Sequence, residues 1–282
     1  MSLVTAQMVK ELRERTGVGM GKCKEALEAA KGDISEAIDI LRRTGMASAV
    51  KKEARDTNEG VILSNEDAHH LVIVEFKAET DFVVQNERFK TFVHNTAKDA
   101  LKHQTKTVEA LSLVKCSHND SMTVDEYRAE QIQSLGENIR ISRVAFITKE
   151  KDHSYGVYSH MHGKIFTMVD IKGASDQQEL AKAIGMHIAA EAPEYVSPEE
   201  IPHEVIAKED DIARSQVEGK PTQIQDKIVL GKLNAFYDQV CLTRQKYVRD
   251  SSLTVAQVVE AEGKKLGKTL SIIRFFRWQI GA

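Results

Sequence analysis

One order of elements runs through this sequence twice, and that recurrence limits the fold more than any single motif. Gly60-Val-Ile-Leu63, a polar turn at Asn65-Glu-Asp67 and Leu71-Val-Ile-Val-Glu-Phe76 read as a β-hairpin. A helix follows, with Phe89, Phe92, Val93, Thr96, Ala97 and Leu101 on one stripe. The same order returns further on. Gly156-Val-Tyr158 matches Gly60-Val-Ile62, and after a His-Gly turn Phe166-Thr-Met-Val-Asp-Ile-Lys-Gly-Ala174 matches the second strand. Leu180, Ala183, Ile184, His187 and Ile188 then form a second helical stripe. Each copy is completed by a further strand. In the first, Ile139, Ile141, Ala145 and Ile147 alternate, with Arg143 the odd member, after a helix expected from Val124 to about Leu135. In the second it is Leu270 to Trp278, after a short helix carrying Val255, Val258 and Val259. Strands joined by tight turns pair antiparallel. The pattern therefore predicts an α+β protein with a duplicated strand–strand–helix core.

The copies differ at one junction. With Glu75 set against Asp170, Phe89 lies 14 positions downstream in the first copy, whereas Leu180 lies 10 downstream in the second. The extra residues fall around Ala78-Glu-Thr-Asp-Phe-Val83. An insertion between strand and helix in only one copy is a place to look for function. Phe82 and Val83 fall in a segment whose flanking elements already have enough apolar residues. Two readings stay open on the residues alone: Phe82 is turned into the core, or it is an exposed wedge for a partner's groove.

Three further regions surround the duplicated core. Residues 1–46 read as a three-helix bundle. Thr5 caps the first helix and Asp33 the third; Thr16-Gly-Val-Gly19 breaks the chain between the first two, and Thr44-Gly45 is expected to stop the third. Residues 47–58 are charged, poor in large apolar side chains, and expected to be a partly helical linker. The first core copy then spans 59–148, and the second 149–199 with 241–282. Residues 200–240 form an inserted antiparallel helical hairpin turned at Gly219-Lys-Pro221. All four prolines lie between Pro193 and Pro221, around this insertion.

Charge and motifs narrow the chemistry. The 282 residues carry 39 Lys+Arg against 42 Asp+Glu, a formal charge of -3, which excludes a dominantly basic nucleic-acid binder. No apolar run is long enough for a membrane span, and Met1-Ser-Leu-Val4 does not open like a signal peptide. The three widely spaced cysteines, Cys23, Cys116 and Cys241, form no disulfide framework and suit a reducing cytoplasm. Gly17-Val-Gly-Met-Gly-Lys-Cys23 fails as a phosphate loop: its spacing is short, Cys23 stands where a hydroxyl should bind magnesium, and a helix precedes it. His160 and His162, spaced to share a strand face, are the nearest thing to a metal pair, but they lack partners at ligand spacing, as do His69 and His70. No nucleophile elbow or zinc-protease motif is present. No catalytic residue, metal or cofactor is therefore expected. The cations Lys264, Lys265, Lys268, Arg274 and Arg277 beside Phe275, Phe276 and Trp278 could form a base-stacking strand, which the acidic hairpin and negative total disfavour.

The sequence resembles bacterial elongation factor Ts along nearly its whole length. Val9-Lys-Glu-Leu-Arg-Glu-Arg-Thr-Gly-Val-Gly-Met20, Cys23-Lys-Glu-Ala-Leu27 and Gly32-Asp33 form one signature of that family, and Thr80-Asp-Phe-Val83 a second. Gly136-Glu-Asn-Ile139, Met186-His-Ile-Ala-Ala190 and Gly219-Lys-Pro221 also match. The resemblance implies that the N-terminal bundle is ubiquitin-associated-like. It also implies that the protein is a guanine nucleotide exchange factor, not an enzyme with covalent chemistry. Its expected partner is elongation factor Tu, in the GDP-bound and nucleotide-free states, with no direct nucleic-acid or membrane partner. Thr80, Asp81, Phe82 and Val83 match the segment that disturbs the partner's magnesium site. Arg13, Met20 and His162 match secondary partner contacts. A non-catalytic adapter of the translation machinery is the alternative. Two departures stand out: Trp278-Gln-Ile-Gly-Ala282 follows the last strand where the family often adds a helix, and Arg244-Gln-Lys-Tyr-Val248 replaces a Gln-Pro-Phe-like stretch.

Overall fold

The computed structural model describes residues 4–217 and 221–282. The chain divides into two compact units. The first is built from the chain up to Lys149 with His162–Lys164 and Gln279–Ala282; the second from Glu150–Met161 and Ile165–Trp278. Helices and antiparallel sheets together give the α+β class expected.

The first unit opens with α1 (Ala6–Thr16), α2 (Met20–Ala29) and α3 (Ile34–Lys52). Thr5 accepts the Met8 N–H at 3.3 Å and Asp33 the Glu36 N–H at 2.9 Å, so each cap satisfies an orphan helix donor. Gly17 ends α1 in the left-handed region, at φ 71°. Leu12, Cys23, Leu27, Ala37 and Leu41 close a small core among these helices. The third helix does not stop at Thr44-Gly45, as expected, but runs on to Lys52. Gly45 is buried against α7 (Val124–Leu135); a Cβ there would lie 3.0 Å from Gln133 Oε1 and 3.6 Å from the Ala129 carbonyl. The glycine serves close helix packing rather than termination, which sequence pattern cannot distinguish.

Next come β1 (Glu59–Glu66), β2 (His70–Ala78), α4 (Asp81–Gln85), α5 (Glu87–Lys102), α6 (Val108–Leu113), β3 (Lys115–Cys116), β4 (Asn119–Thr123), α7 and β5 (Ile139–Thr148). The sheet order is β1-β2-β5, antiparallel throughout. Val72, Val74 and Phe76 of β2 pack with Phe89, Phe92 and Val93 of α5 and Ile132 of α7. Glu75, also on β2, is buried opposite Arg143 of β5, which forms an ion pair with it. That pairing explains the odd member of the β5 alternation.

The second unit contains β6 (His153–His160), β7 (Ile165–Lys172), α8 (Gln178–Glu191), α9 (His203–Ser215), α10 (Thr222–Val240), β8 (Lys246–Tyr247), β9 (Asp250–Thr254), α11 (Val255–Leu266) and β10 (Ser271–Gln279). Its sheet order is β10-β7-β6. Asp170 of β7 is buried and pairs with Arg274 of β10 at 3.1 Å, the counterpart of Glu75 with Arg143. The α9–α10 hairpin has its own apolar seam of Ala213, Val217 and Val229, with Ile228 and Leu233 against it. Of its expected turn, Gly219 and Lys220 lie outside the described residues, and Pro221 precedes α10 as its cap residue.

The repeat extends beyond the strand–strand–helix unit read from sequence. Each copy also carries a small hairpin, β3–β4 or β8–β9, entering a helix through a reciprocal capping box: Thr123 with Glu126, and Thr254 with Gln257. Left-handed Gly136 and Gly267 end those helices. The hairpins and the six-residue α6 are too short to show a period, so pattern reading missed them.

Candidate partner interface

The inserted segment of the first copy forms α4, a single helical turn. Thr80 is its N-cap, and its hydroxyl accepts the Val83 N–H at 3.4 Å. Glu137 clamps the same residue: Thr80 donates its backbone N–H to Glu137 Oε2 at 3.0 Å and its hydroxyl to Oε1 at 2.7 Å. Glu79 mirrors this, accepting the Asn138 N–H at 2.6 Å and an Arg55 N–H at 3.3 Å. The junction between α7 and β5 thus holds the base of the turn by two carboxylates.

The anchored base fixes which side chains face outward. Val83 is 7% exposed and, with Val84, joins the core of the first unit. Asp81 is exposed, and Phe82 is 84% exposed. Of the two readings left open for Phe82, the wedge fits this geometry and the core position does not. Val83, expected among the contact residues, is turned inward instead. The two adjacent apolar residues point to opposite sides because a single turn separates neighbours by about 100°.

The other candidates occupy two further places in the same unit. Arg13 is exposed in the last turn of α1, and Met20 is 57% exposed at the start of α2. The bundle bearing them is tied to the core of its unit at several points. Arg88 reaches the Thr16 carbonyl at 3.4 Å, Ser134 donates to the Gly17 carbonyl at 3.0 Å, and Lys52 donates to the Gly136 carbonyl at 2.6 Å. Burial holds Lys52 below its ordinary pKa. His162 is exposed in the tight turn between β6 and β7, where Met161, His162 and Gly163 all have positive φ. It lies outside β6, so it does not share a strand face with His160. Gly163 is required there, since a Cβ would come within 2.5 Å of Val61.

Sequence reading passed over four residues of this region. Glu79 and Glu137 look like ordinary surface acids until the turn is folded. Met161 is 57% exposed beside His162. Lys164 pairs with Glu59 at 2.8 Å, and this hydrogen bond, with the charge of Asp81 adding to it, raises its pKa. The two glutamates gave an earlier signal only as members of longer stretches, Glu79 in the inserted Ala78–Val83 and Glu137 in the Gly136-Glu-Asn-Ile139 motif.

Other surfaces offer less. A cleft of about 380 Å³ is lined by Leu41, Arg42, Met46, Glu130 and Gln133 among others. Burial raises the Glu130 carboxyl above its usual range. In the basic strand region, Lys264 pairs with Glu260, Lys265 with Glu262 and Arg274 with Asp170. Cations already neutralised on the protein are poorly placed to hold phosphates. No described helix is long and apolar enough to cross a membrane.

The fold is thus a two-unit α+β protein whose first unit carries an anchored, aromatic-tipped turn. Comparison with known proteins narrows that class. Residues 79–282 match the family model described as Elongation factor TS. The chain is 53% identical over 281 residues to an Elongation factor Ts of Protochlamydia amoebophila (strain UWE25), with all of both chains covered. It is 44% identical to that of Chlamydia pneumoniae and 43% to that of Chlamydia felis (strain Fe/C-56), each over 282 residues and with full coverage of both chains. The chain belongs to the elongation factor Ts family.

Proposed function

We propose that this protein is a cytoplasmic guanine nucleotide exchange factor that binds elongation factor Tu and promotes release of GDP. The observation that carries the reading is the exposed Phe82 on a turn whose base is fixed by Thr80, Val83 and Glu137. No covalent step is involved. The factor binds the nucleotide-free state of its partner more tightly than the GDP state, and linkage requires GDP to weaken factor binding by the same ratio. An aromatic ring contributes to that difference only if its groove exists in the displaced state. Burying it is worth about 2–3 kcal/mol, which corresponds to roughly 30- to 150-fold in the ratio. The clamp matters as well, because a pre-ordered turn loses little further entropy on docking. Asp81, beside the ring, presents a carboxylate with which to reorder polar groups around the partner's magnesium and phosphate site. Arg13, Met20 and His162 are secondary contacts. The N-terminal bundle, 1–46, and the hairpin, 200–240, are docking elements around the two core copies.

The test is release of a fluorescent GDP analogue from elongation factor Tu, with and without the protein. Acceleration at micromolar concentration is expected, and Phe82→Ala should reduce it about 10- to 100-fold while thermal stability stays unchanged. Binding of elongation factor Tu with no effect on GDP release would replace this reading with the adapter.

A further inference from the structure

The repeat exposes a difference in how the two copies hold their small hairpins. In both copies the backbone N–H at the turn of the small hairpin is captured by a buried side chain of the core helix. In the second copy, His187 of α8 accepts the Val248 N–H at Nδ1, at 3.2 Å, and its Nε2 meets Gln245 Oε1 at 2.9 Å. Both ring nitrogens are used. In the first copy, Asp99 of α5 does the work: its Oδ1 accepts the Ser117 N–H at 3.1 Å. One oxygen suffices for that tie. The other, Oδ2, is buried with no hydrogen-bond partner among the described residues, and Asp99 as a whole is 1% exposed. A buried carboxylate oxygen without a partner calls for a ligand.

Two further ligand atoms converge on it. Cys116 Sγ, at the end of β3, and a ring nitrogen of His118, in the hairpin turn, lie with the Asp99 carboxylate within 4.8 Å of one another. Cys116 is buried and His118 is exposed, with its ring 4.4 Å from that of Tyr127. The group is thus closed on the protein side and open to solvent at the imidazole. We propose that Asp99 Oδ2, Cys116 and His118 bind a single divalent transition-metal ion, zinc by preference, with a water in the fourth position.

The donor set fits that choice. One thiolate, one imidazole and one carboxylate are zinc's ligands, and magnesium or calcium would not take the sulfur. Charge also balances, since thiolate and carboxylate together neutralise a divalent ion. Burial, with the nearby Asp99 charge second, pushes the Cys116 thiol up to about 12, so without a cation it keeps its proton. On binding, the S–H bond breaks, a sulfur–metal bond forms, and the proton passes to solvent with displaced metal-bound water. The contraction needed is small, because ligand atoms around a tetrahedral zinc at roughly 2.0–2.3 Å stand about 3–4 Å apart. The second copy lacks the set: the hairpin positions corresponding to Cys116 and His118 hold Tyr247 and Arg249. Sequence reading sought histidine pairs, whereas this site combines a Cys-x-His turn with an aspartate from the preceding helix.

Cobalt is the probe, because a cobalt–thiolate bond gives an intense charge-transfer band. Titrating the full-length, metal-stripped protein with cobalt should produce that band at one equivalent, and zinc should displace it. Cys116→Ser should abolish the band, and His118→Ala should weaken cobalt binding at least about 10-fold. His118 is exposed, so its variant keeps the fold and decides the matter even if Cys116→Ser does not fold. No thiolate band, a band that persists in Cys116→Ser, or unchanged affinity in His118→Ala would each overturn the site. None of these outcomes depends on exchange activity, so this inference and the proposed function stand or fall separately.

Discussion

The two core copies keep the same frame and differ in what is hung on it. Both bury a carboxylate on the central strand and pair it with an arginine on the third strand, Glu75 with Arg143 and Asp170 with Arg274. Both enter the last helix through a capping box and leave it at a left-handed glycine. These shared features solve problems that any such sheet and helix must solve: a buried charge needs a partner and a helix end needs donors and acceptors. Besides the α9–α10 hairpin inserted in the second, the copies part company at two places within the shared frame. The first carries α4 with exposed Phe82, whereas β7 passes through Gly173 towards α8 without such a turn. The first ties its hairpin with Asp99, the second with His187. The difference teaches that duplication fixed the scaffold, and that new contacts were added where the scaffold did not need the residues.

The largest loss of stability is expected at two strand glycines, one in each copy. The register does not align the two glycines that the sequence pattern matched: Gly60 lies opposite Lys77, whereas Gly156 lies opposite Val169, the counterpart of Val74, and a Cβ would lie 2.1 Å from the Phe76 carbonyl oxygen in one and 2.2 Å from the Lys182 nitrogen of α8 in the other. Alanine at either should cost about 3 kcal/mol by urea denaturation. A neutral substitution at either would show that the close approach there gives way to a Cβ. Next come the arginines. Arg143→Ala and Arg274→Ala each remove one partner of a buried carboxylate, leaving Lys77 beside Glu75 and His153 beside Asp170, and both guanidiniums are nearly half exposed. About 2 kcal/mol is expected for each, and similar values in the two copies would support equivalence.

Thr80→Val keeps the shape but removes a helix cap and a hydroxyl bond to Glu137. A loss of about 1–2 kcal/mol is expected, with slower exchange because the turn then keeps only its backbone tie to Glu137. His187 sharpens the contrast through pH. Burial lowers its pKa from the ordinary value of 6.5. Below that value the unfolded chain takes up a proton that the folded one refuses, so stability present above pH 6.5 falls as pH drops towards the depressed folded pKa. Thermal melts of the full chain across this window should show the loss, and His187→Gln should flatten it. The smallest effect on stability belongs to Phe82→Ala, within about 0.5 kcal/mol. A large drop in its melting temperature would return the ring to the core.

Much of the fold was legible because it rests on local pattern. The α5 stripe from Phe89 to Leu101, the alternation in β5 and the caps at Thr5 and Asp33 depend on neighbours two to four residues away, and all are found in the structure. The position of the insertion was legible too, since it needed only the length between two landmarks. Gly45 was misread because a glycine that ends a helix and one that admits another helix look alike in one dimension.

What the sequence by itself determined was the duplicated order, the α+β class and the place where one copy carries extra residues, all of them products of hydrophobic period and turn chemistry. Only the tertiary structure decided that Phe82 faces out while Val83 faces in. A five-residue helix has no stripe to set its phase; the Thr80–Glu137 clamp, from a distant part of the chain, sets it instead. The meeting of Asp99, Cys116 and His118 was likewise beyond the sequence, because the packing of a hairpin turn onto a helix brings them together. Periodicity reports which side of an element is buried. It does not report what that burial brings alongside.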